Sequence, residues 1–265
     1  MKYGYLVSLI LILLSTTLFA KDKEYQLSLS AVGMSMDYSE YLDNGELYNT
    51  EKSALNDILG LELKLKMITK LEDEKYSEVG VSLMSVEGKT QYTGGIIGSG
   101  LGYGSYVGTT YNSILDMKIV YQHRQILKNN LEFTYGIGFG YREWSRALSS
   151  TQIEIYSWFS LRPKVGLLYR YKDFSVAPSL EYQYGIFPEM SFDMNGRAII
   201  LNLGGANISK FTLPLKYKYS RKLNIFIEYQ YERQIIDESN IVDGWLEPRS
   251  EAYNQYIKFG AEFKF

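Results

Sequence analysis

Apolar and polar residues alternate along almost the entire chain after its first twenty positions. The final segment, YNQYIKFGAEFKF at residues 253–265, places three Phe, one Ile and one Tyr on one parity, with Lys and Glu on the other. Successive side chains of a β-strand point to opposite faces, so this pattern predicts a strand with one apolar and one polar face. The same period recurs at residues 59–67, 115–124, 131–142, 164–172, 175–184, 211–220 and 223–232.

These segments predict an all-β fold class: a transmembrane, antiparallel, up-and-down β-barrel of about ten strands with periplasmic termini. A soluble β-sandwich also alternates. Here, however, the apolar faces end repeatedly in Tyr, as at an interfacial girdle, and charges occupy the opposite faces. Tyr accounts for 25 of the 265 residues. The mean hydropathy of −0.18 is too low for a bundle of membrane helices.

The first twenty residues, MKYGYLVSLILILLSTTLFA, have the pattern of a secretory signal peptide, with Lys2, an aliphatic run at 9–14, and Ala20 before the expected cleavage. An N-terminal membrane anchor is the alternative, but a spanning helix needs about 20 apolar residues, more than this run supplies. We therefore expect residues 1–20 to be a signal peptide and residues 21–265 to form one outer-membrane β-barrel domain, located in the cell outer membrane after export.

Short and long connections alternate between the predicted strands. The short ones lie near residues 72–75, 128–130, 172–173 and 221–222, and the long ones near 38–56, 88–112, 143–151, 187–210 and 236–251. In barrels of this kind short turns face the periplasm and long loops face outward. Residues 25–37 and 76–87 each change parity midway, which predicts a β-bulge in both.

The polar faces carry charges of both signs on nearly every strand. A barrel of about ten strands has little interior beyond its side chains, whereas open channels need about sixteen strands. Opposite charges in so narrow a space are expected to pair, because an unpaired buried charge is costly. We predict a closed lumen crossed by ion pairs, with a narrow ion-conducting pore as the alternative. The predicted lumen network is Glu62, Lys64, Lys66, Asp116, Lys118, Glu132, Arg142, Glu154, Arg162, Lys164, Arg170, Glu181, Lys216, Lys218, Glu228 and Glu232, with Arg124 on the same parity.

Two stretches resemble the omptins, the ten-stranded outer-membrane proteases. They are YRYKDFSVAPSLEYQYG at residues 169–185, within a longer similarity over 135–185, and the final YNQYIKFGAEFKF at residues 253–265. The order of strands and turns from Thr110 onward is also similar, so the resemblance covers about half of the chain after the signal peptide. It implies an outer-membrane barrel.

The resemblance does not extend to the omptin catalytic residues. Omptins pair an Asp-x-Asp with an Asp-x-His across the extracellular mouth, where carboxylates and an imidazole activate water. Residues 88–112, which should supply the acidic pair, contain no Asp or Glu, and residues 187–195 hold Glu189 and Asp193 but no His. The single His, His123, lies five residues before a short turn and thus at the opposite end. We therefore expect no proteolytic activity.

Other chemical functions find little support in the sequence. A lipid hydrolase built on His123 lacks a Ser among the outward neighbours, which are Tyr121 and Gln125. The chain has no Cys and one His, which excludes a disulfide framework and a multi-histidine metal centre. Its net charge of −2 argues against nucleic-acid binding. We expect no catalytic residues, no cofactor and no bound metal.

The function that remains is a structural or surface-interaction role, in which the long loops bind an unidentified extracellular ligand. Trp245, in the acidic last loop, is a candidate anchor for a partner or for the outer-leaflet interface. Phe263 and Phe265 resemble the C-terminal assembly signal of outer-membrane barrels. The expected partners are outer-membrane lipid, including lipopolysaccharide, and the barrel-assembly machinery. A small porin or narrow transporter is the alternative function, and an omptin-like protease or a lipid hydrolase is a more remote one.

Overall fold

A computed structural model describes residues 23–42, 44–72, 74–95, 102–194 and 197–265. The predicted signal peptide at 1–20 therefore lies outside the described residues. Thirteen strands in these ranges form one sheet. No helix in the described ranges is long and apolar enough to cross a membrane. The strands are β1 (Lys23–Tyr41), β2 (Leu47–Lys52), β3 (Ile58–Glu72), β4 (Lys75–Gly94), β5 (Tyr106–Lys128), β6 (Leu131–Ala147), β7 (Ile153–Tyr171), β8 (Phe174–Val176), β9 (Ser179–Met194), β10 (Arg197–Asn202), β11 (Ala206–Lys218), β12 (Leu223–Ile236) and β13 (Arg249–Lys264).

The sheet closes on itself because β1 and β13 pair along their length, from Gln26 opposite Lys264 to Tyr41 opposite Arg249. Three pairs of consecutive strands each share one position in the ring: β2 with β3, β8 with β9, and β10 with β11. The thirteen described strands therefore occupy ten ring positions, each antiparallel to its neighbours. The predicted all-β, antiparallel, up-and-down barrel of about ten strands is confirmed.

The outer face of the barrel is apolar. Leu61, Ile137 and Phe259 point outward and are more than half exposed. Lys258 and Glu262, on the alternate parity of β13, are almost completely buried in the lumen. An apolar exterior around a closed hydrogen-bond ladder satisfies the two demands that a bilayer makes on a spanning structure.

The two ends of the barrel differ. At the turn end, short turns join β3 to β4, β5 to β6, β7 to β8 and β11 to β12, and here β1 begins and β13 ends. At the loop end the strands run farther than the sequence predicted: β4 and β5 remain paired up to Gly94 and Tyr106, and β9 continues to Met194. The predicted loops at 88–112 and 187–210 are therefore largely strand, because cross-strand hydrogen bonds continue to satisfy the backbone above the apolar belt.

The only His of the chain lies in an aromatic group on the outer face near the turn end. The ring centroid of His123 is 5.0 Å from that of Tyr121 and 5.5 Å from that of Tyr135. Amphipathic rings at this level are typical of an interfacial girdle. The outward position that the parity predicted for His123 is therefore what the structure shows.

The predicted bulges in β1 and β4 are wrong. β1 pairs with β13, and β4 with β5, in unbroken register across both segments. The apolar residues change parity because they change face: Leu29 lies on the outer surface, whereas Met34 and Met36 are buried in the lumen. The lumen is thus apolar at this level, which alternation along one strand cannot distinguish from a bulge.

Ile137 offers a test of the apolar belt, because it lies in the middle of the outer face of β6. Ile137→Lys is expected to lower the free energy of unfolding in phospholipid vesicles by about 2–4 kcal/mol, since a charge near the bilayer midplane is poorly solvated. Ile153→Lys places the same charge at the loop-end start of β7 and should cost less than about 1 kcal/mol. Denaturant titration of both refolded variants makes the comparison. Equal losses would contradict the assigned belt.

Candidate functional site: the side chains that fill the lumen

The lumen is filled in successive levels along the strands. Toward the loop end, the inward side chains of β6 are Arg142, Trp144 and Arg146, each almost fully buried. The inward side chains of β7 run from Glu154 through Tyr156, Trp158 and Ser160 to Arg162, so aromatic rings again lie between two charges. An apolar level therefore separates two charged levels.

The apolar level consists of side chains from most of the ring. Trp144 and Trp158 are its largest members, and each is only 1% exposed. Trp144 packs between Tyr38, at 5.2 Å between ring centroids, and Tyr156, at 5.0 Å. Close packing of this kind excludes water. We name as the apolar layer Val32, Met34, Met36, Ile58, Met84, Val86, Ile114, Trp144, Trp158, Met190, Leu201, Ile208 and Ile236.

Above the apolar layer, four carboxylates surround one guanidinium. This mouth cluster consists of Arg146, Glu40, Glu51, Glu154 and Glu247. Arg146 donates from Nη1 to Glu40 Oε1 at 2.6 Å and to Glu154 Oε2 at 2.9 Å, and from Nη2 to Glu51 Oε1 at 2.8 Å. The five residues come from β1, β2, β6, β7 and the β12–β13 connection. A single side chain thus ties together elements that are distant in sequence.

Hydrogen bonds connect the mouth cluster to the apolar layer beneath it. Glu51 Oε2 accepts from Thr90 Oγ1 at 2.5 Å and from Asn112 Nδ2 at 2.9 Å. Trp144 Nε1 in turn donates to Asn112 Oδ1 at 2.8 Å. The indole is therefore both part of the apolar packing and the end of a polar chain. A chain of this kind fixes its members more firmly than separate pairs would.

Glu247 is the member of the mouth cluster without an ion pair in the described chain. Its carboxylate accepts a hydrogen bond from the Tyr156 hydroxyl, and its backbone N–H donates to Ser239 Oγ at 2.9 Å. Burial, reinforced by the negative charges of Glu40 and Glu154, holds the pKa of Glu247 well above its ordinary range. The ionisable groups that face it are Tyr38 and Glu40 on β1, Tyr48 on β2, Arg146 on β6, and Glu154 and Tyr156 on β7.

Below the apolar layer, two fully buried arginines share one carboxylate. Arg142 Nε lies 2.9 Å from Asp116 Oδ2, and Arg162 Nη1 lies 2.7 Å from Asp116 Oδ1. Arg142 also reaches Glu232 at 3.1 Å. Gly140 makes room for this arrangement, because a Cβ there would overlap the Arg162 guanidinium. Gly140 is thus required because the Arg162 guanidinium occupies the space where its side chain would lie.

The turn half of the lumen contains ion pairs between neighbouring strands and across the barrel. Most of these pairs are partly or fully shielded from solvent, so they stiffen the ring but also carry a desolvation cost. They are Lys64 with Glu62 at 2.9 Å and Glu228 at 3.4 Å, Lys258 with Glu62 at 3.0 Å and Glu228 at 3.1 Å, Lys118 with Glu181 at 3.1 Å, Lys210 with Glu232 at 2.8 Å, Lys216 with Glu262 at 2.5 Å, Arg124 with Glu78 and Glu132 at 2.8 Å, and Arg170 with Glu132.

The structure places every residue of the predicted lumen network on the inner face or its rim and brings most of them into ion pairs. Lys66, Lys164 and Lys218 differ, since they form no ion pair in the described part of the chain, and Lys218 is exposed at the turn end. Sequence reasoning missed several members because they fell in predicted loops or were not followed along the polar parity of their strands. Those missed are Glu40, Glu51, Glu78, Arg146, Lys210, Glu247, Lys258 and Glu262.

Trp245, the candidate anchor of the sequence analysis, is partly buried in the structure, and its role as an anchor stays a prediction. Its ring packs edge-on against Phe192, at 5.4 Å between centroids, and lies against the apolar core. Asp243 and Gly244 both have positive φ, 52° and 82°, and form a two-residue hairpin turn that brings Trp245 back opposite Val242. The turn therefore directs the indole toward the barrel instead of away from it.

Phe263 and Phe265, the predicted assembly signal, are both exposed at the turn end, at and just after the end of β13. Phe265 also stacks on Tyr25 of β1, with ring centroids 6.0 Å apart. The end of the chain is thus held at the seam where the ring closes. The role in assembly stays a prediction.

The ion pairs of the mouth cluster connect the strands at the loop end to one another. Glu40, Glu51 and Glu154 each form an ion pair with Arg146. His123 lies at the other end, on the outer face. Within the described ranges, no group of three or more His, Asp or Glu side chains is arranged to hold a metal ion.

Removal of the central guanidinium tests the mouth cluster. Arg146→Met is expected to lower the free energy of unfolding by about 3–5 kcal/mol, because it leaves several buried carboxylates without a partner. Arg233→Met is the matched control: Arg233 pairs with Glu251 on the outer surface and is half exposed, so its loss should cost at most about 1 kcal/mol. Urea titration in detergent micelles measures both. A loss no larger than that of the control would contradict the central role of Arg146.

The raised pKa of Glu247 predicts that the β12–β13 connection loosens as pH rises above the ordinary pKa of a glutamate. Glu247 titrates near its ordinary value of about 4.3 when undocked and at a higher pH when docked. The docked state is therefore favoured below the ordinary value and loses stability as pH rises toward the docked pKa. Hydrogen exchange of residues 237–248, corrected for intrinsic rates, should accordingly increase with pH.

Two variants control this measurement. Glu247→Gln cannot ionise and should remove the pH dependence, whereas Glu46→Gln, in the exposed turn after β1, should leave it unchanged. Protection of residues 237–248 that does not vary with pH in the unmodified protein would show that Glu247 does not control the docking.

No protein-family model matches the sequence, and no characterised protein matches it by sequence. The fold is similar to the crystal structure of the outer membrane protease OmpT from Escherichia coli, with a TM-score of 0.59 and 14% identity over 94% of this chain and 100% of that one. The translocator domain of the autotransporter NalP from Neisseria meningitidis matches with a TM-score of 0.42 and 10% identity, over 99% and 95% of the two chains. The omptin resemblance is thus confirmed at the level of the fold, and identity this low shows the fold alone.

Proposed function

We propose that this chain is an outer-membrane β-barrel protein whose loop end is a surface for binding partners and whose lumen does not conduct. The apolar exterior and the ladder that closes between β1 and β13 support a location in a bilayer. In this orientation the turn end faces the periplasm and the loop end faces the cell exterior. Export through the predicted signal peptide and assembly through Phe263 and Phe265 belong to the same proposal.

The apolar layer is the observation that carries the closed lumen. Its two Trp side chains are 1% exposed, and the mouth cluster lies directly above them. An ion crossing this level would have to leave its hydration shell for an apolar surrounding, which is strongly unfavourable. The lumen charges below the layer serve in this view to bind the strands to one another.

The loop end suits an interaction surface because the strands continue beyond the belt as paired hairpins. A rigid scaffold of this kind holds exposed side chains in fixed positions, where binding residues concentrate. Ile241 and Phe187 are the most exposed large apolar residues of the described chain, at 70% and 84%. Ile241 lies in the β12–β13 connection and Phe187 on β9. The partners proposed are an extracellular ligand of unknown identity and the surrounding lipid, including lipopolysaccharide.

An enzymatic role is not part of the proposal. Proteolysis of the omptin type needs an accessible base at the mouth, whereas Glu40 and Glu51 are at most 3% exposed and are held by Arg146. A narrow pore is the second candidate, and a cavity of about 320 Å³ in the turn half favours it. The apolar layer, which lies between this cavity and the loop end, argues against it.

Electrical recording tests the closed lumen. The protein, refolded and inserted into planar bilayers, is expected to give no discrete conductance steps. Replacement of Trp144 and Trp158 together by Ala removes the largest side chains of the apolar layer and should produce steps that the parent lacks. Steady single-channel steps from the unmodified protein would overturn the closed lumen and favour the narrow pore.

Photo-crosslinking in living cells tests the interaction surface. A photoreactive residue at Ile241 should yield discrete adducts, since this position projects from the loop end. The same residue at Leu127, exposed near the turn end, serves as the control and should not yield those adducts. Absence of any adduct from Ile241, in cells that display the protein in its folded form, would remove the support for a surface-interaction role.

A further inference from the structure

The proposed function leaves unused a cavity in the turn half of the lumen. It has a volume of about 320 Å³ and lies below the buried level of Asp116 and Arg142. Lys172 and Lys218, which are exposed at the turn end, belong to its lining. The cavity therefore communicates with the turn end, while the apolar layer separates it from the loop end.

The lining of this cavity carries an excess of positive charge. Among the described residues it contains ten lysines and two arginines against seven carboxylates, an excess of five. Three further carboxylates, Glu24, Glu132 and Glu232, pair with lining cations from just outside, and Arg142 and Arg162 both bind the lining residue Asp116. With these neighbours counted, an excess of four positive charges remains. The ion pairs of the lumen do not neutralise this cavity.

Two lysines inside the cavity contribute to this excess of positive charge. Lys64, Lys118, Lys216 and Lys258 each have a carboxylate partner, but Lys66 on β3 and Lys164 on β7 have no ion pair in the described chain. Both line the cavity, where the charges of Glu78, Glu262 and Glu228 act on Lys66, and those of Glu181 and Glu228 on Lys164, from beyond ion-pair distance. The like charge of Lys66 acts unfavourably on Lys164, and neither ammonium group has a carboxylate in direct contact within the described chain.

A bound anion would relieve this repulsion. Lysine ammonium groups are compact point charges with three donors each, and they are common phosphate ligands. Gly80 lies opposite Lys66 in the sheet and has no side chain, so a Cβ there would meet the Lys66 stem at 3.6 Å. The side chain of Lys66 is consequently free of a bulky neighbour on β4 and faces open cavity.

We propose that the turn half of the lumen is a binding site for a small phosphate-bearing anion that enters from the turn end. The Lys66 and Lys164 ammonium groups are its principal ligands. Lys172 and Lys218 at the rim attract it by their charge. The ligand is either free phosphate or the headgroup of a phosphate monoester lipid, and both present the same dianion. This site does not depend on the binding role proposed for the loop end.

Titration with inorganic phosphate tests the site. The full-length folded barrel in nonionic detergent is followed by ³¹P NMR and by calorimetry at low ionic strength, where screening is weak. Saturable binding is expected, and it should weaken at least tenfold when Lys66→Met and Lys164→Met are combined. Lys66→Arg with Lys164→Arg keeps both charges and should retain most of the binding. Circular dichroism and resistance to unfolding by detergent on gels confirm that each variant is folded.

A matched control removes two lysines elsewhere. Lys52→Met combined with Lys89→Met changes the net charge equally, but both side chains are exposed at the loop end, and phosphate binding should not change. A short-chain phosphatidic acid below its critical micelle concentration forms the second arm. If it binds at the cavity lysines and inorganic phosphate does not, the headgroup is the ligand. Failure of both to bind saturably, or equal weakening in the control, would overturn the proposal.

Discussion

In a closed ring of ten strand positions, an inward side chain can contact other protein groups only inside the lumen. The backbone donors and acceptors bond to those of the neighbouring strands, and the outer face contacts lipid. Most charges that point inward therefore pair with one another, and the inward apolar side chains pack together. The Arg142–Asp116–Arg162 group and the apolar layer are two solutions to the same confinement, placed at successive levels.

These levels depend on one another. Trp144 packs in the apolar layer, and its indole N–H donates a hydrogen bond to Asn112. Asn112 donates in turn to Glu51, which forms an ion pair with Arg146. Arg146 in turn fixes Glu40 and Glu154 from opposite sides of the mouth. The buried charge of Arg146 is stabilised because the apolar layer below keeps its carboxylate partners in place. The mouth cluster in turn covers the apolar layer and keeps water away from it.

Alternation in the sequence predicted the barrel, its closure and the direction of nearly every charge, because a period of two is a property of any strand with two unlike faces. It did not predict the apolar layer. Val32 and Met34 are apolar like Leu29 but point inward, and composition alone does not show which apolar face contacts lipid. Arg146 and Glu51 were assigned to loops, because strands that rise above the membrane lose the apolar face by which the pattern is recognised. The partial burial of Trp245 was not predicted, because the Asp243–Gly244 turn sets its direction and its polar sequence neighbours do not.

The side chains in the lumen have an excess of negative charge at the loop end and an excess of positive charge in the turn half. Around Arg146 the mouth cluster holds more carboxylates than cations, even with Glu247 neutral, while the turn half holds more lysines than carboxylates. The apolar layer keeps these groups from meeting, so neither excess can be cancelled by contact with the other. The loop end can reduce its excess of negative charge by binding a proton, since a carboxylate close to other carboxylates is more readily protonated. Lysine ammonium groups open to water lose a proton far less readily at neutral pH. The remaining way to balance the turn half is a solute anion, and with the layer above it that anion has access from one side alone.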